Sequence, residues 1–392
     1  MSLFTSNLNG LKSLETLCAS KEKLNPREYR VMIEPLVHWW DLLHDSRNLI
    51  SAKSKWKILR EGVGLQAVLS NHRFATSWSV LAEYGEYSRG AIKCLIRSIE
   101  FGDECEMVVL FPRSGKRATV CVSSQIGCAV GCRFCSTGMM GFRRNLSYYE
   151  ILEQVYLARC VAIRFGRSLR NVVFMGMGEP MHNCEAVWES LNGMIGDTGF
   201  GLSPRAITVS TAIGGGMLIE TAKKFPNIRI ALSLHAADGD VRRDLVPKSP
   251  SEMERMKEVI RTINRIQSGD PLWLEITMLK GVNDRPSDVA ALVEFSRDLN
   301  VQINLIPYNP IRRNENSDDT KTLPLMCYGS ELQSTELIKV YAIAQYLRDK
   351  GLVVRVRNSF GDQDNAACGQ LALSHSHAIN TAAEIINLKA EI

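Results

Sequence analysis

The sequence predicts an α/β protein: a partial (β/α)6 barrel with a small N-terminal accessory domain. Three observations predict it. From about Asn171 onward, short β-branched runs alternate with longer amphipathic stretches, the pattern of βα units around a parallel sheet. A cysteine motif, Cys128-Ala-Val-Gly-Cys132-Arg-Phe-Cys135, falls in the loop after the first of the expected strands. Polar side chains recur at the ends of successive strands, on the rim where the βα loops of such barrels converge and carry their chemistry.

The first hundred residues read differently from the rest. Helical patterns cover 26–43 and 54–70, and alternating runs at 91–99 and 105–111 predict a hairpin or small sheet. The accessory domain is therefore drawn over residues 1–100, the barrel over 101–372, and a tail over 373–392. Barrel strands are expected at 119–125, 171–175, 206–210, 229–234, 272–278 and 301–306, with 352–356 flanking them. Helices are expected at 147–165, 184–196, 216–225, 251–267, 287–299 and 330–350. Ser147 with Glu150, and Ser251 with Glu254, have capping-box spacing. The polar stretch 312–329 predicts an exposed loop.

Composition bounds the class. Of 392 residues, 45% are apolar and 23% charged, which suits a globular chain with a sizeable core and excludes disorder and fibre. No apolar run approaches membrane-spanning length, and residues 1–10 lack the features of a secretory signal. Eleven cysteines, scattered except around 121–135, do not form the framework of a secreted disulfide scaffold. A reducing, cytoplasmic compartment is expected. The net charge of +5 permits nucleic-acid binding without arguing for it, and basic runs such as Arg113/Lys116/Arg117 and Arg143/Arg144 read singly as solvated loop charge.

The cysteine motif is the strongest signal. Three thiolates on one short loop hold three irons of a cubane and leave the fourth without a protein ligand. An open iron of that kind binds the amino and carboxylate groups of S-adenosylmethionine (SAM) and passes on the electron that cleaves its sulfonium. A redox pair of Cys132 and Cys135, or a zinc site that recruits Cys121, is the competing reading. No second CxxC unit accompanies the motif, so a [4Fe-4S] cluster on Cys128, Cys132 and Cys135 is favoured, with SAM as the second cofactor.

The segment Met175-Gly-Met-Gly178-Glu179-Pro180 ends the second strand. Gly178 permits close backbone approach, and the Glu179 carboxylate suits an amino group. Ser210 and Thr211 end the third strand, Ser233-Leu234-His235 the fourth, and Tyr308-Asn309-Pro310 follows the sixth. These groups suit a ribose, an adenine edge and a carboxylate. One rim serine alone is more often a helix cap; the recurrence is what points to a ligand.

Taken in order, Arg117 through Cys128, Phe134-Cys-Ser-Thr-Gly138, Gly176-Met-Gly-Glu-Pro180, Ser233-Leu-His235, Asn304-Leu-Ile-Pro-Tyr-Asn-Pro310 and Ala366-Ala-Cys368-Gly-Gln370 resemble the RlmN/Cfr family of radical SAM enzymes that methylate adenine in RNA. The resemblance spans roughly residues 105–372. It implies a radical SAM barrel in which Cys368 is methylated by one SAM, while a second SAM yields a 5'-deoxyadenosyl radical that takes hydrogen from that methyl group. The resulting methylene radical adds to adenine, with carbon 2 favoured over carbon 8. Cys121 then attacks the Cys368 sulfur, releasing methylated RNA and leaving a disulfide for a thiol reductant. Glu106 matches the family's proton-accepting glutamate, with Glu104 as a neighbouring candidate, since the interval to Cys121 is about two residues longer than the family pattern.

Ribosomal or transfer RNA, a flavodoxin-type electron donor and a monomeric protein away from membranes are implied as well. Read without the resemblance, Cys121 shares a polar strand face with Thr119 and Ser123, and Cys368 sits in a turn of short residues. Either reads equally as a small buried hydrophobe. The first hundred residues match the family's RNA-binding domain poorly, which keeps open a radical SAM enzyme with a non-RNA acceptor. From another class, a zinc-stabilised RNA-binding module is the competing reading.

Overall fold

The computed structural model describes residues 77–113, 115–195, 200–267, 270–310, 326–327, 330–357 and 369–371. The helices expected before residue 77, most of the loop at 312–329, Cys368 and the tail lie outside the described residues.

Among the described residues, one ten-stranded sheet carries the fold. It begins with β1 (Trp78–Tyr84), β2 (Ala91–Ser98), β3 (Glu104–Leu110) and β4 (Arg117–Cys121), each antiparallel to the one before. A separate antiparallel pair follows, β5 (Gln125–Gly127) and β6 (Phe142–Asn145). The main sheet continues from β4 through β7 (Ser168–Phe174), β8 (Ile207–Thr211), β9 (Arg229–Ser233), β10 (Leu272–Met278), β11 (Val301–Pro307) and β12 (Val353–Val356), all parallel. The helices are α1 (Ser136–Met139), α2 (Tyr148–Arg164), α3 (Cys184–Ile195), α4 (Gly216–Lys224), α5 (Gly239–Leu245), α6 (Met253–Ile266), α7 (Pro286–Ser296) and α8 (Leu337–Asp349).

The alternation of side chains sorts the sheet into two faces. Leu232, Leu274, Ile303 and Val354 lie in register on the outer face and join the main apolar core. Each buried aliphatic side chain stabilises the packing by about 1.5–3 kcal/mol. One residue further along, Ser233, Glu275 and Asn304 form a polar row on the inner face. Helices cover the first face, and the second lines the barrel interior.

Most expected elements are present, and the differences have local causes. The strand expected at 119–125 stops at Cys121, because the Ser123 amide donates to Gln154 Oε1 of α2 (2.8 Å) and the Ser124 amide to Met177 O (2.8 Å). Ser147 and Glu150 form the expected capping box at the start of α2. The Ser251–Glu254 box does not form: Glu252 occupies the N-cap of α6 and makes no side-chain cap bond. The helix expected from 330 begins at Leu337, since Ser330 and Glu331 pair instead with Cys327 and Met326. The hairpin expected near residue 100 is β2–β3, and its strands pair from Ala91–Leu110 to Arg97–Glu104. The sheet is therefore continuous across residue 100.

Candidate active site

β5 and β6 pair at the base of the loop that carries the three motif cysteines. At Gly127, φ is +72° and a Cβ would stand 1.8 Å from Gly141 O, so only glycine closes the loop here. The Cys128 amide then donates to Gly141 O (2.9 Å). Cys135 occupies the N-cap position of the short α1. Cys128, Cys132 and Cys135 line one cavity together with Gly178, Glu179, Ser210, Thr211, Ser233, His235, Glu275 and Asn309.

The cysteine loop fits a cluster. Main-chain amides of Val130 and Gly131 bond the Cys128 sulfur, and those of Thr137 and Gly138 bond that of Cys135, favouring thiolates. Burial outweighs them, pushing the Cys128 thiol up to about 12 and raising Cys132 and Cys135 as well. Among the described residues, no group of three or more His, Cys, Asp or Glu side chains is placed to hold a single ion. A cubane makes no such demand, because each thiolate takes its own iron. Cys121 lies on β4 opposite Val108 and does not line the cavity. A zinc site shared between Cys121 and the loop would require those sulfurs to converge.

Glu179 is 4% exposed. Its Oε1 accepts from the Met181 amide (2.9 Å) and Thr211 Oγ1 (2.6 Å), and its Oε2 from the Ala212 amide (2.8 Å). Burial still raises its carboxyl above the usual range, against those bonds and the Arg242 charge. Gly178 has φ of +98°, and a Cβ there would meet Gln125 Cβ at 2.6 Å. The Glu179 amide donates to Gln125 Oε1 at 2.8 Å, so Gln125 supports both residues.

On the neighbouring strands, the Ser210 and Ser233 hydroxyls lie 3.3 Å apart. His235 adopts a left-handed φ of 57°, held because its amide and that of Leu234 both donate to Glu275 O at 3.1 Å. Burial, then the Arg242 charge, pushes the imidazole down to about 3. His235 is therefore neutral, and its Nδ1 accepts from the Thr277 amide (3.2 Å). That bond leaves the proton on Nε2, as a donor.

The site residues expected from sequence thus divide. Nine of them, namely Cys128, Cys132, Cys135, Gly178, Glu179, Ser210, Ser233, His235 and Asn309, line the one cavity. Leu234 does not: it is fully buried in the apolar core, with its amide engaged by Leu232 O and Glu275 O. Glu106 lies on the β3 face that carries Val108, opposite Cys121, and is fully buried with Oε1 2.9 Å from Lys93 Nζ. Glu104 pairs instead with Arg97 at 2.6 Å. Cys368 falls outside the described residues, but Gly369 lines the cavity, its carbonyl accepts from the Ser136 amide (2.8 Å), and Leu371 O accepts from Thr137 Oγ1 (2.6 Å).

A radical SAM superfamily model matches residues 122–295. The chain is 39% identical over 284 residues to a probable RNA methyltransferase of Rhodopirellula baltica, covering 72% of this chain and 70% of that one. It is 35% identical to the dual-specificity RNA methyltransferase RlmN of Marinobacter nauticus, covering 74% of each. The chain belongs to the RlmN-type radical SAM RNA methyltransferases. A crystal structure of a radical SAM methyltransferase from Sphaerobacter thermophilus matches with a TM-score of 0.69 and 31% identity, covering 92% of this chain and 96% of that one. Three lining or supporting residues escaped the sequence reading: Gln125, Glu275 and Arg242. Glu275 left a signal, a carboxylate inside the otherwise apolar strand Leu272–Met278.

Proposed function

We propose that this methyltransferase modifies adenine in ribosomal or transfer RNA, at carbon 2, through a methylated Cys368. The observation that supports this most directly is the shared cavity: the three motif cysteines and all but one of the expected SAM-holding residues line it together with Gly369, the residue after Cys368. When bound, the cluster and SAM supply the 5'-deoxyadenosyl radical.

The chain's own groups do the rest. Glu179 takes the SAM amino group, and the Ser210 and Ser233 hydroxyls, His235 Nε2–H and the Asn309 side chain offer hydrogen bonds to the remainder. Cys368 carries the methyl group to the base. Cys121 resolves the protein–RNA link by attacking the Cys368 sulfur. Glu106 accepts a proton during release, with Lys93 holding its carboxylate in place. A flavodoxin-type donor supplies electrons, a thiol reductant resets the disulfide, and the enzyme works as a cytoplasmic monomer. Among the described residues, no helix is long and apolar enough to cross a membrane.

The test is RNA methylation by the reconstituted enzyme with labelled SAM. Cys368→Ala is expected to abolish transfer while SAM cleavage continues, and Cys121→Ala to accumulate protein crosslinked to RNA. Full methylation by Cys368→Ala contradicts the mechanism, and label found only in a non-RNA acceptor contradicts the substrate.

A further inference from the structure

The wall behind the cysteine loop holds a positive charge that the roles above leave unused. Arg242 of α5 is fully buried. Its Nε donates to Pro250 O (3.0 Å), its Nη1 to Ser233 O (2.8 Å) and Leu234 O, and its Nη2 to Ala212 O (2.7 Å) and Ser249 Oγ (3.0 Å). All five acceptors are neutral. They satisfy the guanidinium's hydrogen bonds without cancelling its charge, and a cation taken out of water needs a counter-charge.

Two features place that counter-charge on the cofactor side. The Ala212 residue that gives its carbonyl to Arg242 gives its amide to the Glu179 carboxylate. The C-terminal end of α5 also grips the cysteine loop one residue beyond Cys132, where Leu245 O accepts from the Arg133 amide (3.0 Å) and Asp244 O from Arg133 Nε (2.7 Å). Consistently, Cys132 and Glu179 are the groups whose negative charge favours the charged form of Arg242, while burial works against it. Glu179 has three hydrogen bonds of its own and an amino group to bind, which leaves the thiolates of the loop.

We propose that Arg242 is the resident counter-charge of the iron–sulfur cluster: a positioning residue that fixes the ends of β8 and β9 through their carbonyls and favours the reduced cluster through its charge. The cluster gains one negative charge when a one-electron donor protein reduces it, so a fixed cation nearby raises the reduction potential. The proposal rests on the cluster reading of the cysteine loop.

The test uses the anaerobically reconstituted protein and reads the cluster's midpoint potential by a redox titration followed by electron paramagnetic resonance. Arg242→Gln removes the charge and is expected to shift the oxidised-to-reduced ratio at least ten-fold toward oxidised, a lowering of about 59 mV for a one-electron couple. Arg242→Lys keeps the charge while losing most of the hydrogen bonds, and is expected to recover most of the shift. Equal potentials in wild type and Arg242→Gln overturn the proposal, as do equal shifts in the Gln and Lys variants. Should Arg242→Gln take up no iron, the Lys variant decides: loading with a potential near wild type supports the charge role, and failed loading or a ten-fold shift overturns it. A wild-type protein that takes up no iron removes the cluster reading itself, an outcome distinct from a loaded cluster indifferent to Arg242.

Discussion

Gly178→Ala measures how tightly the loop after β7 must approach the start of β5 for Glu179 to reach its place. Two costs combine at this position. The backbone has φ of +98°, and holding an L-residue in a sparsely populated region costs about 1–3 kcal/mol. The added Cβ would also stand 2.6–2.7 Å from Gln125 Cβ, Cγ and N. Backbone nitrogen cannot yield as a side-chain tip does, so overpacking adds about 1–3 kcal/mol. Gly201 supplies the control: its φ is +61°, but nothing lies within 4 Å of its Cβ position. Gly201→Ala is expected to cost only the conformational part, about 1–2 kcal/mol. Urea denaturation of both variants gives the difference, and equilibrium binding of S-adenosylhomocysteine to the reconstituted protein reports the site. Gly178→Ala should be the less stable of the two by at least about 1 kcal/mol and should bind the ligand weakly, since Glu179 follows directly. Equal stability of the two variants with unchanged ligand binding refutes the reasoning.

Two buried groups give pH signatures of opposite sign. His235 is pushed down to about 3, below its ordinary 6.5, so the stability it contributes is present above pH 6.5 and lost as pH falls toward 3, about 5 kcal/mol in full. Denaturation between pH 7 and 4 should show this loss, and a His235→Gln variant with the same acid slope would contradict it. Glu153, buried in α2 and accepting from the Ser77 amide at 2.7 Å, is raised by burial to about 7. Its folded pKa lies above the unfolded value of 4.5, so its contribution is full at low pH and lost as pH rises through 7, on the order of 3 kcal/mol. Glu153→Gln should flatten the slope between pH 5 and 8; an unchanged slope would place that titration elsewhere.

Much of the site was legible because its residues are local. Cys128, Cys132 and Cys135 share one loop; Ser210 and Ser233 lie at the ends of β8 and β9, and Glu179 and His235 in the loops that follow β7 and β9. The expected capping box at Ser147 formed for the same reason, since both partners lie within one turn. What escaped depends on contacts between distant segments. Nothing near Ser123 in sequence says that Gln154 takes its amide and ends the strand. The short α5 has a local signal in Asp238, whose carboxylate accepts from the Asp240 and Val241 amides, but it has no long amphipathic pattern to find. Arg242 stands beside Arg243 in a charged stretch that reads as solvent-facing, and only the carbonyls of three separate segments make it interior. Leu234, between Ser233 and His235 in sequence, has its side chain in the apolar core.

The central claim, that Cys128, Cys132 and Cys135 hold a SAM-cleaving cluster, is tested most directly by anaerobic reconstitution followed by assay of 5'-deoxyadenosine with SAM and reductant. The account predicts roughly four irons per chain and deoxyadenosine formation that is lost in each of Cys128→Ala, Cys132→Ala and Cys135→Ala. A zinc-bearing, iron-free protein that leaves SAM intact would contradict it.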